Sequence, residues 1–105
     1  MEFQEFHQEL KSNQTIAVYF TTVDCQVCRV VKPKLKSILK EYPHISLMEI
    51  NSMDSPIIAS QNMVFAVPTL IIFSDGNEVK RFSRYLDMPD ISSFLHRISH
   101  EDNIE

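Results

Sequence analysis

The chain has 105 residues, a formal net charge of −4 and 44% hydrophobic side chains, which is room for one compact domain over 1–105 and no more. No block of like charge suggests disorder or an electrostatic grip on nucleic acid, and no apolar run approaches the roughly 20 residues of a membrane-spanning helix, so neither partner is expected. Two cysteines cannot build a disulfide framework, and Met1-Glu2-Phe3-Gln4-Glu5-Phe6 has neither a basic start nor an apolar leader; together these predict a reducing intracellular compartment, the cytoplasm.

Phe3, Phe6 and Leu10 recur at helical spacing, with Glu2 and Glu5 early and Lys11 late, where they complement the helix dipole. This predicts a helix over about 3–11. After Ser12-Asn13-Gln14, the run from Thr15 to Phe20 is apolar and β-branched on both faces, as expected of a central strand covered on two sides. Next comes Thr21-Thr22-Val23-Asp24-Cys25-Gln26-Val27-Cys28, with the only cysteines. Beyond it Val27, Val30, Val31, Leu35, Ile38, Leu39 and Tyr42 predict the apolar face of a long helix ending before Pro43, with Arg29, Lys32, Lys34, Lys36 and Lys40 as its solvated face. Pro33, inside that helix, cannot donate to the carbonyl of Arg29 and predicts a kink.

Ile45 to Ile50 reads as a second strand, and Ser55-Pro56 as the start of a short helix over about 56–62. Val67-Pro68-Thr69 introduces a third strand, Leu70-Ile71-Ile72-Phe73, apolar on both faces. Asp75-Gly76-Asn77 turns it into the more polar Glu78 to Ser83, suited to a sheet edge. Asp87-Met88-Pro89-Asp90 opens a last helix in which Ile91, Phe94, Leu95 and Ile98 repeat at i, i+3, i+4, i+7. His100 to Glu105 reads as a frayed tail. The order α, β, α, β, α, β, β, α predicts an α/β fold: a mixed four-stranded sheet, the first two strands parallel, the last two antiparallel, with helices on both faces.

A disulfide between residues two apart closes too small a loop to constrain the unfolded chain much. Cys25 and Cys28, at a strand-to-helix junction, therefore read as a redox-active dithiol rather than a scaffold. Cys25-Gln26-Val27-Cys28 after a buried strand, Pro33 five residues beyond Cys28, Val67-Pro68-Thr69 before the next strand, and the hairpin with its final helix together resemble the thioredoxin family over nearly the whole chain. The resemblance implies a thioredoxin-like fold, here without the family's usual leading strand. It further implies a cis peptide bond before Pro68, with the backbone of Val67 exposed to pair with an extended substrate.

Thiol–disulfide exchange needs an accessible thiolate and a second thiol that resolves the mixed disulfide. Cys25, at the start of a helix whose unpaired N–H groups favour negative charge, is assigned as nucleophile, and Cys28, one turn on, as resolving thiol. Asp24, Gln26, Val27, Val67, Pro68 and Thr69 form the expected substrate-binding rim. The activity implied is that of a monomeric, cofactor-free thiol–disulfide oxidoreductase. It acts on protein or small-molecule disulfides and is regenerated by an external reductant.

Several positions depart from the family pattern. Asp24 stands where an aromatic residue usually precedes the first cysteine, and it opposes thiolate formation at Cys25 unless Arg29 folds back to offset it. Gln26-Val27 replaces Gly-Pro. Tyr19 occupies the place, six residues before Cys25, where a buried carboxylate is common; the lysine often found near it on the next strand corresponds to about Leu47, and the glycine expected after the hairpin to about Arg84. Without an obvious proton acceptor for Cys28, disulfide reduction slower than a typical family member's is expected. The alternative from another class is a binding module on the same fold, holding a partner peptide along Val67-Pro68 without turnover. Zinc held by His96, His100, Cys25 and Cys28 is set aside, because nothing in the fold brings the His96–His100 face of the last helix to the dithiol.

Overall fold

The computed structural model describes residues 1–12 and 14–104, with the backbone alone over 100–104. The elements in chain order are α1 (Phe3–Ser12), β1 (Thr15–Thr21), α2 (Gln26–Leu39), β2 (Ile45–Asn51), α3 (Pro56–Gln61), β3 (Thr69–Ser74), β4 (Asn77–Ser83) and α4 (Met88–Ile104). The expected order and types hold. The last helix runs on through the stretch read as a tail, to Ile104. Pro33 lies within α2, which continues past it to Leu39.

The four strands lie in the order β2-β1-β3-β4. β1 pairs in parallel with β2 and antiparallel with β3, and β3 pairs antiparallel with β4. The long α2 crossover permits the parallel pair; the two-residue turn at Asp75-Gly76 makes the hairpin. Asp75 and Gly76 have φ of 52° and 85°, the left-handed pair that matches strand twist in a tight hairpin and for which Asp-Gly is the favoured sequence.

All seven residues of β1 are buried, and strand alternation divides them between two cores. Ile16, Val18 and Phe20 pack with Phe6 and Leu10 of α1 and Ile58 and Ala59 of α3. Ala17 and Tyr19 point the other way, into a cluster with Val31, Leu35 and Leu39 of α2 and Ile91, Phe94 and Leu95 of α4. Cys28 belongs to this second cluster. The sheet thus sets Tyr19 directly against the helix that carries the cysteines.

The buried stripe of α2 is Cys28, Val31, Leu35 and Leu39. Val27 and Val30, expected on it, are instead 56% and 57% exposed. Helical spacing from Cys28 carries the core face through 31, 35 and 39 and leaves 27 and 30 on the flank. Lys32, expected on the solvated face, reaches Glu49 of β2 in a 2.7 Å ion pair. β4 is the polar edge strand foreseen, its residues exposed or half-buried.

Candidate active site

Cys25 is the N-cap of α2, with extended backbone angles, and the structure holds it as a disulfide with Cys28, the two Cα atoms 5.3 Å apart. The amide of Cys28 donates to Cys25 Sγ at 3.1 Å. An N–H group at a helix start directed at sulfur favours negative charge there when the thiol is free. Cys25 is half-buried, whereas Cys28 is 2% exposed. The helix therefore presents one sulfur and shelters the other.

The loop before the disulfide is held from three sides. Ser52 N donates to Thr21 O at 2.8 Å, joining the ends of β2 and β1, and Cys25 N closes a turn onto Thr22 O at 3.3 Å. The Thr22 hydroxyl donates to Asp24 Oδ1 at 2.9 Å. Arg29 does fold back: its Nη2 donates to Val23 O at 2.6 Å, setting a cation beside the loop that carries Asp24.

The peptide bond between Val67 and Pro68 is cis. Val67 and Cys25 are both partly buried against the same core cluster as Cys28. Asp24, Gln26 and Val27 are exposed around the disulfide, but Pro68 and Thr69 are buried. Thr69 is 2% exposed and turns its hydroxyl inward to Ala66 O at 2.8 Å. Of the expected rim, Asp24, Gln26, Val27 and half-buried Val67 reach the surface. Pro68 and Thr69 shape the loop from beneath. Arg84, at the position of the expected glycine, has φ 67° and donates its amide to Pro68 O at 2.9 Å, bracing that loop from the far side.

Behind the disulfide, Tyr19 is 1% exposed and its hydroxyl donates to Cys28 O at 3.0 Å. Burial, with the charge of Glu49 adding to it, pushes the Tyr19 phenol up to about 12. The strand register makes Glu49 the β2 partner of Tyr19; Leu47, expected near it, pairs with Ala17. An open groove of about 450 Å³ runs along this side, lined by Cys28, Lys32, Glu49 and Asn51 among others. Neither the Tyr19 hydrogen bond nor Glu49 was anticipated from sequence. The i, i+4 spacing of Cys28 and Lys32 was the available signal, since it puts both on one side of α2. His96 was considered with His100 as a metal pair, but the His100 side chain lies outside the described residues.

A family model described as Thioredoxin matches residues 1–97. The chain is 33% identical over 89 residues to the thioredoxin-like protein YdfQ of Bacillus subtilis, covering 85% of this chain and 80% of that one. It is 32% identical over 78 residues to a thioredoxin of Chlamydia trachomatis, covering 74% and 76%. Among solved structures, thioredoxin 1 of Thermosipho africanus superimposes with a TM-score of 0.78 at 31% identity, over 84% of this chain and 98% of that one. The oxidised mitochondrial thioredoxin 3 of Saccharomyces cerevisiae gives 0.82 at 22% identity, over 90% and 88%, a likeness of fold.

A sheet of this topology with a disulfide at the start of its central helix defines a thiol–disulfide oxidoreductase. The chain belongs to the thioredoxin family, whose members act on disulfides with an external reductant. No helix among the described residues is long and apolar enough to cross a membrane.

Proposed function

We propose that Cys25 is the attacking thiol and Cys28 the resolving one, in a monomer that reduces or exchanges protein or small-molecule disulfides in the cytoplasm. The observation that carries this is the asymmetry of the pair: Cys25 is half-buried at the helix N-cap and receives the Cys28 amide, while Cys28 is 2% exposed. Attack by the Cys25 thiolate on a substrate disulfide gives a mixed disulfide and one substrate thiolate. Cys28 then attacks Cys25 Sγ and displaces the second substrate thiolate, leaving Cys25–Cys28 oxidised and the substrate reduced by two electrons. An external dithiol restores the starting state.

Asp24, Gln26 and Val27 on one side, and the backbone of Val67 on the other, form the rim a substrate meets. Support comes from their exposure and from the packing of Val67 on the same core cluster as Cys25. A reducing compartment fits a chain whose cysteines close only this small ring. Equilibration of the Cys25–Cys28 couple with glutathione buffers, alongside insulin reduction by wild type, Cys25→Ser and Cys28→Ser, tests the reading. A reversible two-electron couple is expected, with insulin turnover below a typical thioredoxin's and none in either variant. If no reversible disulfide forms and Cys25→Ser keeps full binding of a partner peptide, the chain is instead a binding module.

A further inference from the structure

Resolution requires the Cys28 thiol to lose its proton inside a core cluster, where a thiolate is poorly solvated. Tyr19 holds the position beneath it and is no acceptor: its hydroxyl donates to Cys28 O. The α4 residues packed on the same cluster, Ile91, Phe94 and Leu95, are apolar, as are Leu70 and Ile72 of β3. On α2 the charged neighbours in the groove are the cations Arg29 and Lys32. Asp24 lies outside that groove, its carboxylate engaged by the Thr22 hydroxyl. This leaves the carboxylate of Glu49, which β2 places in register with Tyr19 and in the groove that reaches Cys28.

We propose that Glu49, held by Lys32, takes up the Cys28 proton through water in this groove during resolution; the inference rests on Cys28 being the resolving thiol. The ion pair at 2.7 Å holds the carboxylate, and about 450 Å³ of open groove admits bridging water. As the Cys28 S–H bond breaks, the proton moves to Glu49, and the thiolate's electron pair forms the bond to Cys25 Sγ. The Cys25–substrate S–S bond breaks, and the substrate sulfur leaves with its electrons as a thiolate. Glu49 becomes neutral as Cys28 becomes negative, so no second anion builds up, and Lys32 is then free to face the new charge. Glu49 afterwards returns its proton to solvent. The acid that is absent from position 19 is thus supplied from the neighbouring strand.

An aromatic disulfide whose leaving thiolate is coloured releases one equivalent on Cys25 attack and a second on resolution, so stopped-flow absorbance separates the steps. Glu49→Gln is expected to slow the second phase at least about tenfold at pH 7, within the usual range for lost proton transfer. The deficit shrinks as pH rises, because hydroxide in the groove then takes the Cys28 proton without Glu49. Glu49→Asp should restore most of the rate. Lys32→Met breaks the ion pair but keeps the carboxylate, and should lose only a few-fold. The first phase, isolated in Cys28→Ser, should be the same with Glu49 or Gln at that position. A second phase unchanged in Glu49→Gln, a deficit constant with pH, or equal slowing of both phases overturns the proposal. Absence of the first phase in Cys28→Ser overturns the assignment of Cys25 as nucleophile instead.

Discussion

The phenol of Tyr19 donates a 3.0 Å hydrogen bond to the main-chain carbonyl of Cys28. That carbonyl sits in the first turn of α2, so the bond fixes the start of the helix to the central strand. It has a pH signature. The folded value is raised to about 12 from an ordinary 10.0, so the folded state keeps this proton longer than the unfolded chain does. Below about pH 10 the phenol is neutral in both states and costs nothing. As pH rises from about 10 toward 12 the unfolded chain ionises while burial, with the Glu49 charge, keeps the folded phenol protonated, so stability falls by roughly 1 kcal/mol at pH 11. Tyr19→Phe should cost about 1 kcal/mol at pH 7 through the lost hydrogen bond. By pH 11 the variant should equal or exceed wild type. Urea unfolding of the oxidised proteins at both pH values checks this, and a wild-type advantage that persists unchanged at pH 11 contradicts it.

Arg81 gathers four acceptor atoms, two backbone and two side-chain, at the edge of the sheet. It donates to Asn62 O at 2.7 Å, to Met63 O at 3.1 Å and to both carboxylate oxygens of Glu78. The first two secure the end of α3, from which the chain proceeds to the Val67-Pro68 loop. Arg81→Met should destabilise by about 1 kcal/mol at pH 7, since the site is part-exposed. The Arg81 hydrogen bond holds Glu78 below its ordinary 4.5, so that part of the stabilisation is present above 4.5 and lost as pH falls through the lower folded value. The difference between wild type and variant should therefore be smaller at pH 3 than at pH 7. A difference that widens in acid counts against the pairing.

Arg84 holds a left-handed backbone, φ 67°, where a residue with a Cβ is strained and glycine is not. Its contribution to the loop is an amide hydrogen bond to Pro68 O, which glycine also makes. Arg84→Gly should therefore raise stability, by about 0.5–1 kcal/mol after allowing for glycine's greater freedom in the unfolded chain. The shift in the urea midpoint measures it. A loss of stability means that the arginine side chain stabilises more than its backbone costs.

Element order and both cores were legible because β1 and β3 are apolar on both faces while α1, α2 and α4 repeat at helical spacing. The disulfide was legible for a simpler reason, since only two cysteines exist. Register was not. Leu47 and Glu49 are two apart, and a two-residue slip keeps every strand residue on its own face, so the hydrophobic pattern gives both alignments the same score. Tyr19 was read as core, and it is core; that its hydroxyl reaches Cys28 O depends on how closely α2 lies on β1, which periodicity does not carry. Val27 and Val30 fit the i, i+3, i+4 spacing of the apolar face with Val31, yet both are exposed, because the core stripe is set by Cys28, Val31, Leu35 and Leu39 and apolar residues on its flank need not be buried.

The division of labour between the two sulfurs is tested most directly by trapping. Reduced wild type, Cys25→Ser and Cys28→Ser are each exposed at pH 7 to less than one equivalent of a small disulfide, and adducts are located by mass spectrometry of peptides. Cys28→Ser should accumulate a stable mixed disulfide on Cys25, Cys25→Ser should remain largely unmodified because Cys28 is buried, and wild type should pass directly to the Cys25–Cys28 disulfide. An adduct forming on Cys28 as fast as on Cys25 would contradict the assignment.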